Sequence, residues 1–151
     1  VLFSYAAGSE GEAVWTLMTE ALTILSERGE EDADLVNLQF LWRFLALLGM
    51  RPELPGSPCG SFEYFPEEHR FVRLGGADSE EGYAEGPEGR IILAAGSLAY
   101  LSGGEERSLR DSLRLRLSPL QRGELKAFVF RLVQEASERE LKTIRSGEGI
   151  L

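Results

Sequence analysis

Between Gln39 and Gly49 the run FLWRFLALL holds one polar side chain, Arg43. Leu38, Phe40, Leu41, Trp42, Phe44, Leu45, Leu47 and Leu48 point in every direction around a helix of 3.6 residues per turn. A helix that is apolar on all faces is one its neighbours bury. The stretch therefore predicts a mainly α-helical domain wrapped around one buried central helix, residues 35–48. Gly49 and Pro52 end it, because glycine accepts the left-handed cap and proline cannot continue a helix.

The flanking segments supply the wrapping. Ser9 and Glu12 form a capping-box pair. The helix they open carries Val14, Leu17, Met18, Ala21, Leu22 and Leu25 at helical spacing and is stopped by Gly29. Glu30 to Asp34 is an acidic linker that suits the positive end of the central helix. Near the other terminus, Ser118-Pro119 is an N-cap followed by proline at the first helical position. Leu125, Phe128, Val129, Leu132, Val133 and Ala136 then make one apolar stripe. Arg131, Glu135 and Arg139 sit four apart, at the spacing of mutually supporting pairs.

The middle of the chain is different. Phe62–Phe65 and Arg70–Leu74, separated by Pro66-Glu67-Glu68-His69, predict a small β-hairpin. Residues 75–89 are rich in glycine and acid, a loop with little to pack. Ile91, Ile92 and Leu93 return to the core. Residues 94–101 predict a short helix stopped by Ser102-Gly103-Gly104, followed by a short amphipathic segment over 105–115. The 151 residues fit one helical domain with a hairpin and loop subregion at 56–90.

Charge limits the partners. Residues 1–104 hold six basic and seventeen acidic side chains, whereas residues 105–151 hold ten and eight. Such an acidic body opposes autonomous nucleic-acid binding, which draws its affinity from neutralised phosphates. The basic C-terminal part leaves room for a local patch. A single cysteine excludes an internal disulfide framework and points to a reducing compartment. No apolar run is long enough to span a bilayer, so the expected location is cytoplasmic.

Nothing in the residues assembles a catalytic site. Cys59 and His69, the only thiol and the only imidazole, stand ten apart in a turn-rich segment, which matches no nucleophilic pairing. Two such groups fill half of a zinc shell. The carboxylates lie in solvated runs such as Glu30 to Asp34 and Asp78 to Glu81. The glycines at 75, 76, 82, 86 and 89 match no phosphate-binding fingerprint. Two side chains stand apart. Arg43 either leads its charge outward, pairs with a buried carboxylate, or faces a partner. Phe130 lies well off its helix stripe, with Arg122, Lys126 and Arg131 close in sequence. An apolar notch rimmed by such cations would suit an acidic peptide ending in an aromatic residue and a free carboxylate.

Three stretches resemble the C-terminal region of RecO, the bacterial recombination mediator. They are FLWRFLALLGMRPELPGSPCG at 40–60, the hairpin with Gly-Gly at 61–76, and LRLSPLQRGELKAFVFRLVQEASERELKTIR at 115–145. The family's cysteine-glycine knuckle is matched by Cys59, and its Leu-Lys-Ser-like closing turn by Leu141-Lys142-Thr143. Many members carry two Cys-x-x-Cys knuckles holding one zinc. Here the first knuckle's other position is Gly56, and the loop after Gly76 has no cysteine. The expectation is a degenerate, metal-free finger with no cofactor, packed by Phe62, Tyr64, Phe65 and Phe71.

The resemblance implies a non-enzymatic protein of DNA repair and recombination. It would assist single-strand annealing and recombinase loading by contacting RecR and the acidic tail of the single-strand-binding protein. Single-stranded DNA would be held mainly by an N-terminal OB-fold. That barrel would precede Val1, whose lack of an initiator methionine reads as a fragment or processed product. The location implied is bacterial and nucleoid-associated. The partner-binding residues expected are Phe40, Arg43, Leu47, Lys126 and Arg131; those expected at phosphates are Arg139, Lys142 and Arg145. Two rival readings are a helical protein-interaction scaffold unrelated to recombination and a small hydrolase using loop carboxylates.

Overall fold

The computed structural model describes residues 9–56, 59–74 and 90–148, with side chains described over 11–142 of these. The chain is mainly helical with a small antiparallel sheet. Helix α1 spans Ser9–Arg28 and leads through a short 3-10 turn, Glu30–Asp32, into α2, Ala33–Leu47. The hairpin is β1, Phe62–Phe65, with β2, Arg70–Arg73. Then come β3, Ile91–Leu93, α3, Ala95–Glu105, α4, Leu109–Ser112, and α5, Pro119–Glu148.

Helix α2 ends as its sequence requires. Gly49 has φ 69°, its N–H donates to Ala46 O at 3.0 Å, and the Met50 N–H reaches Leu45 O at 2.9 Å. This pair of bonds is the Schellman cap, which satisfies carbonyls the helix would otherwise leave open. Leu35, Val36, Leu38, Gln39, Trp42 and Leu45 are buried, and the helix packs against α1, α3, α4 and α5. The expected complete sheathing does not occur. Phe40, Leu41 and Phe44 are only partly buried, Leu47 and Leu48 are exposed, and the Phe40 and Phe44 rings stack at 5.8 Å. This side of α2 is thus left partly open to solvent, with Phe40, Leu41 and Phe44 at the margin of the core.

The hairpin gains a third strand. β1 is central, pairing Tyr64 with Phe71 on one side and with Ile91 on the other. Tyr64, Phe71 and Trp42 all meet Phe128 of α5, with ring centroids 5.1, 5.5 and 6.0 Å away. Phe62, Tyr64 and Phe71 therefore pack inward as expected. Phe65 does not: alternation along the strand turns it to the outer face, where it is exposed.

Helix α3 runs through Ser102-Gly103-Gly104 instead of stopping there. Glycine at 104 serves close approach: a β-carbon there would lie 2.7 Å from Gln39 Nε2. The other end of α3 is held by Glu124 of α5, whose buried carboxylate accepts from Ser97 Oγ at 2.7 Å and from the Ala94 N–H at 3.2 Å. Ser118 and Gln121 cap α5 reciprocally, at 3.0 and 3.2 Å. The stripe predicted for α5 is the buried one: Leu125, Phe128, Val129 and Leu132 are buried, with Val133 and Ala136 packed at its edge. No described helix is long and apolar enough to cross a membrane.

Candidate protein-binding groove

A groove of about 140 Å³ runs between α2 and α5, lined by Asp34, Asn37, Leu38, Leu41, Lys126, Val129 and Phe130. Its walls follow from helical spacing. Asp34, Asn37, Leu38 and Leu41 fall on one side of α2, and Lys126, Val129 and Phe130 on one side of α5. Leu38 and Val129 are buried at its floor, while Phe130 stands 64% exposed at its lip. At the mouth, Lys126 Nζ donates to Asp34 Oδ2 across 2.7 Å and ties the helices together. That bond, with the Lys126 charge and the more distant Arg122, holds the Asp34 carboxyl below its ordinary value.

Of the five side chains expected to bind partners, the structure places only Lys126 in the groove. Phe40 and Leu47 lie on the partly open side of α2, roughly 100° or more around the helix from Leu41 and outside the groove's lining. Arg131 is five residues beyond Lys126, roughly 140° around the helix. It turns toward the sheet side of α5, 3.3 Å from Glu135 Oε1.

Arg43 points to the opposite side of α2 from the groove. Its Nη2 donates to Gly104 O and Arg107 O, each at 2.7 Å. Gly104 O belongs to the last turn of α3, where a helix leaves acceptors open and favours positive charge, and Arg107 O lies two residues past its end. Burial pulls the guanidinium below its ordinary value, against the opposing charges of Glu20 and Glu105, and it stays charged. A backbone carbonyl pair, absent from the alternatives drawn from sequence, thus explains the one polar side chain in the apolar run.

The residues expected at phosphates do not join this groove. Arg139 lies beside Met50, His69, Leu132, Glu135 and Ala136. Lys142 is exposed further along α5. The Arg145 side chain lies outside the described residues. Asp34, Asn37, Leu38, Leu41 and Val129 were missing from the expected set. The relation i, i+3, i+4, i+7 from Asp34 to Leu41 was present in the sequence, but nothing there said which face α5 would flank.

The finger region carries a different network. Tyr64 Oη lies 2.9 Å from His69 Nδ1 and 3.4 Å from Glu135 Oε2, while His69 Nε2 lies 3.1 Å from Met50 O. Burial, with the Glu135 carboxylate behind it, pushes the Tyr64 hydroxyl well above its ordinary value. Both ring nitrogens of the single imidazole are engaged, and the only cysteine, Cys59, is exposed. One thiol and one committed imidazole do not fit a zinc site. Among the described residues, no three His, Cys, Asp or Glu side chains gather as a metal-binding group.

Fold and groove together define a mainly helical domain with one small sheet and an apolar surface channel between two of its helices. Comparison with protein-family models, with curated proteins and with solved structures finds no match.

Proposed function

We propose that this chain is a non-catalytic, partner-binding domain of a RecO-like recombination mediator, with the α2–α5 groove as its contact site for another protein. The observation that carries the reading is the groove itself, an apolar channel with Phe130 left exposed at its lip. Large exposed aromatics beside a concave apolar surface are features of protein-binding sites. Two of the stretches that resemble the family, 40–60 and 115–145, begin or run along the helices that build the walls.

The candidate partners are RecR and the tail of the single-strand-binding protein, and the setting is bacterial DNA repair. Phosphate contact would fall to Arg139, Lys142 and Arg145, away from the groove. Calorimetric titration of the full chain with bacterial RecR, and separately with the single-strand-binding protein, tests the reading. Saturable binding of either, weakened by Phe130→Ala, is the expected result. Binding of neither, or binding indifferent to that substitution, overturns it.

A further inference from the structure

The size of the groove limits what can enter. An apolar cavity of roughly 150 Å³ admits a benzene ring, so a channel of about 140 Å³ takes one phenylalanine or leucine side chain. It lies between two helices, where an amphipathic partner helix can set down one apolar anchor.

The charge around it has a definite sign. Lys126 is already matched by Asp34. Beyond Asp34, toward the 3-10 turn, lie Glu30, Glu31 and Asp32. Asp32 is paired with Arg28, whereas Glu30 and Glu31 are exposed and make no ion pair among the described residues. Arg122 of α5 also acts on this end, where it helps lower the Asp34 carboxyl; against the two exposed carboxylates of Glu30 and Glu31 it leaves the balance at α2's first turn only slightly negative.

We infer that the groove receives an amphipathic helix of a partner protein, carrying one phenylalanine or leucine anchor flanked by lysine and arginine. The inference rests on the reading of the groove as a protein-binding site and goes on to fix the chemistry of its occupant. The anchor fills the space between Leu38, Leu41, Val129 and Phe130. The flanking cations meet Glu30 and Glu31, and one exchanges with Lys126 at Asp34, an exposed pair of the kind that is readily replaced. An acidic occupant, the tail of the single-strand-binding protein included, would meet like charge at this end, which opposes docking; of the two candidate partners the inference therefore favours RecR for the groove.

Fluorescence anisotropy on the full chain tests this with three labelled helical peptides of equal length. One has a phenylalanine anchor flanked by Lys and Arg, one has the same anchor flanked by Glu, and one is the basic peptide with the anchor replaced by alanine. The basic anchored peptide is expected to bind saturably and at least about tenfold more tightly than either other, a difference of about 1.4 kcal/mol. Its affinity should fall as salt shortens the Debye length from ~10 Å to ~3 Å. The exposed double substitution Glu30→Lys with Glu31→Lys should weaken it several-fold, while Phe130→Ala removes the anchor's wall.

Tighter binding of the acidic peptide would overturn the inference and leave the groove's role standing. Equal binding of the anchor-free peptide would overturn it too, showing charge attraction without insertion. Binding of none of the three, with RecR and the single-strand-binding protein also failing to bind, would remove both the inference and the reading beneath it.

Discussion

The side-chain amide of Gln39 lies so close to the backbone of Gly104 that a β-carbon at 104 would meet its Nε2 at 2.7 Å and its Oε1 at 3.0 Å. Both residues are buried, and the contact sets how near α3 comes to α2. Gly104→Ala should therefore destabilise the protein by about 1–3 kcal/mol, the usual cost of overpacking. Urea denaturation measures it. Adding Gln39→Ala should recover part of the loss, and strict additivity of the two substitutions would exclude the contact as the cause.

Arg43 gives the second prediction. Removing it strips two carbonyls at the end of α3 of a charged donor. Arg43→Ala should cost about 1.5–3 kcal/mol, as for hydrogen bonds to charged groups. Both bonds leave one nitrogen, Nη2, at the tip of the longer side chain, so the shorter ammonium of Arg43→Lys should restore only part. If unfolding midpoints in urea leave all three proteins equal, the cap has no energetic weight.

Two phenylalanines two positions apart should behave oppositely. Phe128 is fully buried among Trp42, Tyr64 and Phe71, and Phe128→Ala should cost about 3–5 kcal/mol. Phe130→Ala should stay within about 0.5 kcal/mol of the parent, as surface substitutions do, while changing partner binding. Thermal and urea unfolding of the two variants checks the rotational setting of α5.

The Glu63–Arg90 pair predicts a pH dependence. Arg90 grips the carboxylate with two bonds of 2.7 Å and so holds it below its ordinary value. A carboxyl depressed on folding adds stability above its unfolded value, about 4.3, and loses it as pH falls through the lower folded value. Since Arg90 is partly exposed, the contribution should be only about 1 kcal/mol. Glu63→Gln should lower stability at neutral pH and flatten the acid limb of the stability curve between about pH 5 and 3. Parallel acid limbs for parent and variant would contradict this.

Much of the fold was legible in local pattern. The capping of α5 by Ser118, the Gly49 stop of α2, the hairpin around residues 66–69 and the Leu125 to Ala136 stripe all depend on residues within a turn or two of one another. Propensity and periodicity act over that range. The Gly103-Gly104 stop failed because glycine ends a helix or admits a neighbour, and the neighbour, Gln39, lies in another segment. The candidate site was legible only as two loose signals, the off-stripe Phe130 and the nearby Lys126. Their grouping with Leu38 and Leu41 depended on which side of α2 faces α5.

By itself the sequence determined the helical class, the order of the main helices and the hairpin, and the buried stripe of α5, because burying apolar side chains at helical spacing dominates folding. Only the tertiary structure decided that Arg43 faces the end of α3, that one side of α2 stays partly open, and that an acid-edged groove opens beside Phe130. Those depend on the rotation and separation of helices far apart in the chain. An all-round apolar helix carries no mark of which side will be left to water.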